Sequence, residues 1–303
     1  VRTSIRAPWI HPVITGEDLA RDVIDDFESF FEPKFAIKIS LEIGDVDYAV
    51  TKGAGNEAKI LISRDMANEI INSPTIFFFH LFIIGHEISH AVLMHNRGAY
   101  QELFVYRSLE MWADFYGAKI MMCLITYGQN LKSIFLSFFP HDKFLPSLVA
   151  MGQAAELLVK YVYRVDDHYP PPVVRVASIT NGIISFFWRE QVNLHPIWPY
   201  SIIKRMTASK TVKELQILYG ERLVEGFAMN EPARQWHINM QGLSKEIAPG
   251  LKIPIKIHLY SSFKQTKKEW ERRCRGREDD LINMGLLKRL PSGDIELGPG
   301  PNV

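Results

Sequence analysis

Residues 76–94 read IFFFHLFIIGHEISHAVLM, and this run decides the fold. It is apolar on nearly every face of a helix, so the helix it forms must be buried. Ser73-Pro74 precede it, a capping residue and a first-turn proline that both favour a helix start. Its second half carries His86-Glu87-Ile88-Ser89-His90, the pattern H-E-x-x-H. Residues four apart share a helical face, so His86 and His90 are predicted to aim both imidazoles at one point. Buried polar groups of this kind are costly unless they are paired or hold a metal. The pattern suits Zn2+, with His86 and His90 as ligands and Glu87 as general base toward a water on the open side.

Such a site needs a third protein ligand. SLEMWADFYG occupies residues 108–117, far enough downstream for the chain to end one helix, turn and return on a second. Its apolar residues are too many for an exposed helix. Glu110 and Asp114 lie one turn apart on the same face. Glu110 is expected to be the third ligand. Asp114 is expected to accept the remaining ring N–H of a ligand histidine and fix its tautomer. Because the two carboxylates share a face, spacing alone leaves their roles interchangeable.

The segment HEISHAVLMH at residues 86–95, followed by Glu110-Met111-Trp112-Ala113-Asp114 and Gly117-Ala118, resembles the gluzincin metallopeptidases, especially the HtpX and CAAX-prenyl-protease family. The resemblance covers residues 59–185 or so. It implies zinc ligands His86, His90 and Glu110, Glu87 as base and Asp114 behind the ligands. A third element, HYPPPVVRV at residues 168–176, looks like the H-P-P-x-x-x-R stretch that follows the zinc helices in that family, with Tyr169 inserted. It implies that His168 or Tyr169 reaches the cleft as a donor to an oxyanion, and that Arg175 holds a loop or an acidic partner. A proline-rich connector capping the next helix is the alternative reading. His95 matches a histidine that closes the first helix in these proteins and is read here as a helix-end residue before the Asn96-Arg97-Gly98 stop, not as a ligand. Many members carry membrane-spanning helices. A related motif set occurs in soluble ImmA/IrrE-type regulatory peptidases and phage-exclusion peptidases of the Lit type, which cut one specific intracellular protein.

Composition narrows the class. With 303 residues, 47% hydrophobic and 23% charged, the chain has the make-up of a packed globular protein. A formal net charge of +1 gives no overall attraction to nucleic acid or an anionic membrane. No signal peptide is read at the start of the sequence. The most apolar run is interrupted by His80, so no membrane partner is expected. Two cysteines, Cys123 and Cys274, make no disulfide framework and suit a reduced, cytoplasmic setting. Cys123 is read as core. Cys274 stands among arginines that would lower its thiol pKa.

Ahead of the zinc helix, a helix is predicted from Gly16 to about Phe31, with Leu19, Val23, Ile24, Phe27 and Phe31 on one face. Strands are predicted at 35–43, around 48–50 and at 58–62, and a short helix at 64–72. An edge of this sheet, at 35–43 or 58–62, is expected to line the cleft and pair with an extended peptide. The second zinc helix is predicted over 106–125, and further helices over 151–165 and 173–189. Beyond residue 192 the pattern changes. Residues 211–224 are amphipathic, and 248–260 (APGLKIPIKIHLY) read as a short strand. The stretch from Lys264 to Arg277 is basic but interspersed with acidic residues, so a solvated helix is favoured over nucleic-acid contact.

The expected fold is α+β and zincin-like, mostly helical with a small N-terminal sheet ahead of the HExxH helix. Residues 1–190 are expected to form the metallopeptidase domain. Residues 191–303 are read as an accessory region for substrate selection or regulation, or as the closing wall of the same domain. The expected function is a soluble zinc endopeptidase acting on an intracellular protein or peptide. The alternatives are a cue-activated peptidase specific for one repressor or host protein and a non-catalytic zinc scaffold. Retention of Glu87 argues against the scaffold, since a structural site prefers four closed ligands.

Overall fold

The computed structural model describes residues 14–97, 102–140, 144–190 and 197–264, and a subset of 266–297. The fold is predominantly helical, with a three-stranded sheet ahead of the zinc-motif helix. Helix α1 (Gly16–Ser29) opens with a capping box: Thr15 Oγ1 accepts from the Asp18 N–H, and Asp18 accepts from the Thr15 N–H. Its face of Leu19, Val23, Ile24 and Phe27 is buried as the periodicity predicts. The chain then leaves the helix, and Pro33–Phe35 forms a single 3-10 turn. The first predicted strand is correspondingly shorter.

Strands β1 (Ser40–Gly44), β2 (Ala49–Lys52) and β3 (Lys59–Ser63) form a sheet in the order β1-β3-β2. β3 is central, parallel to β1 and antiparallel to β2. Its Ile60 and Ile62 are fully buried. The central position of β3 corrects one sequence expectation. Residues 58–62 are not an edge, and the edge that faces the cleft is β2. Short helix α2 (Arg64–Asn68) follows, capped by Ser63.

Helix α3 (Pro74–Val92) starts as predicted, with Ser73 Oγ accepting from the Ile76 N–H and Pro74 in the first turn. Every residue from Phe77 to Val92 is buried. By length and composition α3 is long and apolar enough to cross a membrane, but 83% of its apolar window is buried inside the protein. It is the central core helix, packed by α1, β2, α4 (Leu103–Tyr127) and α6 (Phe144–Leu157). His80, the polar interruption, pairs through Nε2 with Glu69 at 2.6 Å.

Helix α4 runs back along α3: His86 meets Asp114 and the later His90 meets the earlier Glu110. The crossing is set by two glycines. A Cβ on Gly117 would lie 2.7 Å from both the Gly85 carbonyl carbon and the His86 nitrogen, which are backbone atoms that cannot give way. Gly117→Ala is therefore expected to destabilise the protein by about 1–3 kcal/mol through overpacking. It should also weaken zinc binding, because it separates the helix of His86 from the helix of Glu110. Denaturant unfolding and a zinc titration on the same variant check both effects.

The remaining helices close around this pair. α5 (Gln129–Phe138) packs on α1 and α4, and α7 (Pro172–Glu190) packs along α4. α8 (Ile197–Met206) lies against α6 and α7, and α9 (Lys210–Tyr219) against α7. α10 (Leu223–Ala228) lies on α7, while α11 (Asn230–Gln241) and α12 (Ile253–Leu259) lie on α4. α12 replaces the strand expected in 248–260. IPIKIHL alternates, but Ile255, His258 and Leu259 are the buried residues, which is helical spacing, and Pro254 is favourable in a first turn. A hairpin of β4 (Leu287–Arg289) and β5 (Ile295–Leu297) ends the described chain. Cys123 is buried in the core as expected, and Cys274 lies outside the described residues.

Candidate metal centre

The α3–α4 crossing brings three side chains to one point. His86 Nε2 and His90 Nε2 are 2.9 Å apart. Glu110 reaches both, with Oε2 3.4 Å from His86 Nε2 and Oε1 3.4 Å from His90 Nε2. One ligand atom from each residue lies within 4.8 Å of the other two. All three side chains are buried or nearly so. This resolves the ambiguity between the two carboxylates. Glu110 faces the Nε2 atoms, while Asp114, one turn on, meets the other side of the first ring: its Oδ1 is 2.9 Å from His86 Nδ1. That contact keeps the His86 Nε2 lone pair turned toward Glu110 and His90.

Behind Asp114 stands Arg175, in the first turn of α7. Its Nε donates to Asp114 Oδ2 at 2.6 Å and its Nη2 to Oδ1 at 3.0 Å, with Glu110 Oε2 3.7 Å away. The guanidinium sits 4.0 Å over the Tyr163 ring, whose hydroxyl donates to Asp114 at 3.3 Å. Pro170-Pro171-Pro172 deliver Arg175 to this place, since the Val174 and Arg175 N–H groups both bond to the Pro171 carbonyl. The proline element thus caps a helix and also supplies a buried cation.

Glu87 is buried yet stands outside the ligand set, on the cleft that His86, His90 and Glu110 also line. Tyr48 to Thr51, at the start and along the edge of β2, line the same cleft. The Thr51 hydroxyl donates to the Glu87 carbonyl at 2.8 Å, tying this strand to the zinc helix. Tyr169 lines the cleft and packs edge-on against Tyr106, ring centroids 5.7 Å apart. His168 does not reach it. Asp166 accepts from the backbone N–H of both His168 and Tyr169, and in this turn the His168 side chain is 77% exposed.

Sequence reading missed Tyr106 and His237, and the contact between His95 and His90. Tyr106 precedes Glu110 by one helical turn, and that spacing is the signal that marks it. Burial and the Glu110 charge raise its phenol pKa, so it stays a donor. His95 does lie just beyond the end of α3 and outside the ligand group, as read from the sequence. It is fully buried between His90 and His237, and α3 stops at Val92, ahead of the predicted stop.

The electrostatics suit a cation. Burial opposes charge on Glu110, but His90, His86 and Arg175 outweigh it and hold the carboxylate well below its ordinary range. Asp114 is lowered likewise, burial being outweighed by Arg175 and His86. Burial lowers His86, yet Asp114 and Glu110 bring it up to about 10. The zinc-free protein is therefore expected to carry a second proton on His86 at neutral pH, which loading the site must displace. Zinc affinity is expected to rise with pH through the neutral range, with about one proton released per zinc at pH 7. Calorimetric titration in buffers of different ionisation enthalpy measures that proton.

Two imidazoles and one carboxylate, converged and buried, with no cysteine joining them among the described residues, are a zinc donor set, and three ligands leave a fourth position open. The buried, non-ligating Glu87 beside them completes the arrangement of a gluzincin-type zinc peptidase active site. No family model, curated protein or solved structure matches the chain, so this class rests on the residues themselves.

Proposed function

We propose that this protein is a zinc-dependent endopeptidase that hydrolyses peptide bonds of an intracellular protein. The observation that carries the reading is Glu87, a buried carboxylate on the cleft next to a three-ligand set it does not join. Zinc held by His86, His90 and Glu110 would acidify a water and polarise the scissile carbonyl. Glu87 takes the proton from the attacking water and passes it to the amide nitrogen as the C–N bond breaks. Tyr169 and Tyr106 carry phenol donors on the same cleft, suited to the oxyanion that develops on the substrate. Asp114 and Arg175 keep His86 in its ligating orientation. The β2 edge offers backbone groups to an extended chain, which favours peptide over a small-molecule substrate.

Residues 1–190 supply every group in this scheme, and residues 191–303 are proposed to govern substrate choice. A regulatory reading, cleavage of one protein on a cue, gains support from His237, which joins the C-terminal region to a zinc ligand through His95. We assign the protein to the cytoplasm, where its buried free Cys123 stays reduced. The described basic residues Lys264, Lys268, Arg272 and Arg275 are exposed and lie away from the cleft lining, so the scheme includes no nucleic acid.

The test is cleavage of a peptide library and of a cell proteome. About one zinc per chain is expected, with activity lost to a chelator and restored by zinc. A chain that binds no zinc would sink the proposal. A chain that binds zinc and cuts nothing would favour a latent or non-catalytic role.

A further inference from the structure

Helix α3 ends in a strained turn. Met94 has φ 59°, the left-handed region that disfavours residues with a side chain. The His95 N–H then returns to the His90 carbonyl at 3.0 Å, the closing bond of a Schellman stop. Glycine is the usual residue at the Met94 position, so the turn is made against local preference. Its result is the placement of His95. The His95 Nδ1 lies 3.0 Å from His90 Nδ1, and its Nε2 lies 2.8 Å from Nε2 of His237 on α11. The His95 and His237 rings are fully buried. His237 is stacked on Phe263 with centroids 4.2 Å apart, and Trp112 packs on it at 5.6 Å.

Three imidazoles in a row admit one proton arrangement once His90 ligates through Nε2, and the inference rests on that reading of the site. A neutral imidazole has one N–H. With its Nε2 lone pair committed, His90 carries the proton on Nδ1 and donates it to His95 Nδ1. His95 must then hold its own proton on Nε2 and donate it to His237 Nε2. His237 is left with its proton on Nδ1. Burial keeps His237 neutral, bringing its pKa down to about 3.

We propose that His95 and His237 are positioning residues for the zinc ligand His90, forming a hydrogen-bond relay of fixed polarity that anchors this ligand to α11. The two histidine ligands are thus held by different means. His86 leans on Asp114, whose carboxylate can only accept, so the direction of that hydrogen bond is fixed without a further partner. His90 leans on a histidine, which can donate or accept. His95 accepts reliably only if His237 takes its other proton. Without an acceptor at position 237, His95 can place its proton on Nδ1, facing the His90 N–H. His90 would escape that clash by moving its proton to Nε2, the nitrogen the metal requires.

The test combines imidazole 15N NMR with zinc affinity from chelator competition, both on the full chain. Zinc-loaded wild type is expected to show His95 protonated on Nε2 and His237 on Nδ1. His237→Phe keeps an aromatic ring beside Phe263 but offers no acceptor, and should bind zinc about tenfold or more weakly. His237→Gln can present its amide oxygen to His95 and should recover most of that loss. Either opposite tautomer in the zinc-loaded wild type would overturn the relay. So would unchanged affinity in His237→Phe, or equal losses in the Phe and Gln variants, which would assign the effect to packing. The NMR measurement needs no variant to fold. Wild type that binds no zinc would overturn the metal site itself and the relay with it, whereas wrong tautomers in a zinc-loaded protein would overturn the relay alone.

Discussion

Glu87→Gln is expected to hold zinc as wild type does and to cleave peptide about 10²–10⁴-fold more slowly, or not detectably. The two halves of this result come from one geometric fact. Glu87 is absent from the ligand group of His86, His90 and Glu110, so exchanging its carboxylate for an amide leaves the donor set intact. The amide has nearly the same shape and keeps the α3 packing, but it has no basicity with which to take a proton from water. Metal analysis beside a single-turnover cleavage assay separates the effects. Loss of zinc in the variant would make Glu87 a ligand or a structural residue. Full activity with zinc bound would remove it from the chemistry.

The largest effect on stability is expected at Asp114. Its carboxylate takes both hydrogen bonds from Arg175, one from Tyr163 and one from His86. Arg175 is only 5% exposed, and after Asp114→Ala its charge would face Glu110 alone, from 3.7 Å. Removing one partner of a buried ion pair costs about 3–5 kcal/mol because the other charge remains buried. The same variant frees the His86 ring to rotate or change tautomer, so zinc affinity should fall about 10–100-fold. The double variant Asp114→Ala/Arg175→Met removes the stranded charge. It should regain much of the stability in denaturant unfolding, but none of the lost zinc affinity. Equal destabilisation in single and double variants would mean that the ion pair is not the source.

These two residues also show how far the site is legible in sequence. The zinc helix and its base follow from local spacing, since H-E-x-x-H on an apolar helix places three groups by geometry alone. The return helix is legible for the same reason. Which of Glu110 and Asp114 faces the metal is not, because both occupy one face and the answer depends on how α4 docks. The Gly85–Gly117 contact fixes that docking, and although Gly117 lies one turn from Asp114, its partner Gly85 stands on the other helix and spacing along α4 does not reveal the contact. His95 and His237 are separated by 142 positions and meet through a turn made at Met94, a residue with no turn signature. The α12 segment fails differently. Its alternating residues satisfy period two as well as the helical i, i+3, i+4 pattern, and only packing on α4 chooses between them.

One hydrogen bond described above bears on where a cut would fall. The Thr51 hydroxyl holds the Glu87 carbonyl, and the Thr51 carbonyl in turn accepts from Asn96 Nδ2 at 2.7 Å, beyond the end of the same helix. The strand edge is therefore pinned lengthwise against the helix that carries the base. A polypeptide laid along that edge can shift only in whole steps of about 3.3 Å, each of which also reverses the side-chain faces. A shift of one step moves the scissile carbonyl away from Glu87 and brings the neighbouring peptide bond there with its side chains on the opposite faces, whereas a shift of two steps restores the faces. Cleavage governed by such an alignment is expected to give product ends that coincide or lie two residues apart, and ends at every successive residue would mean that the edge does not hold the substrate.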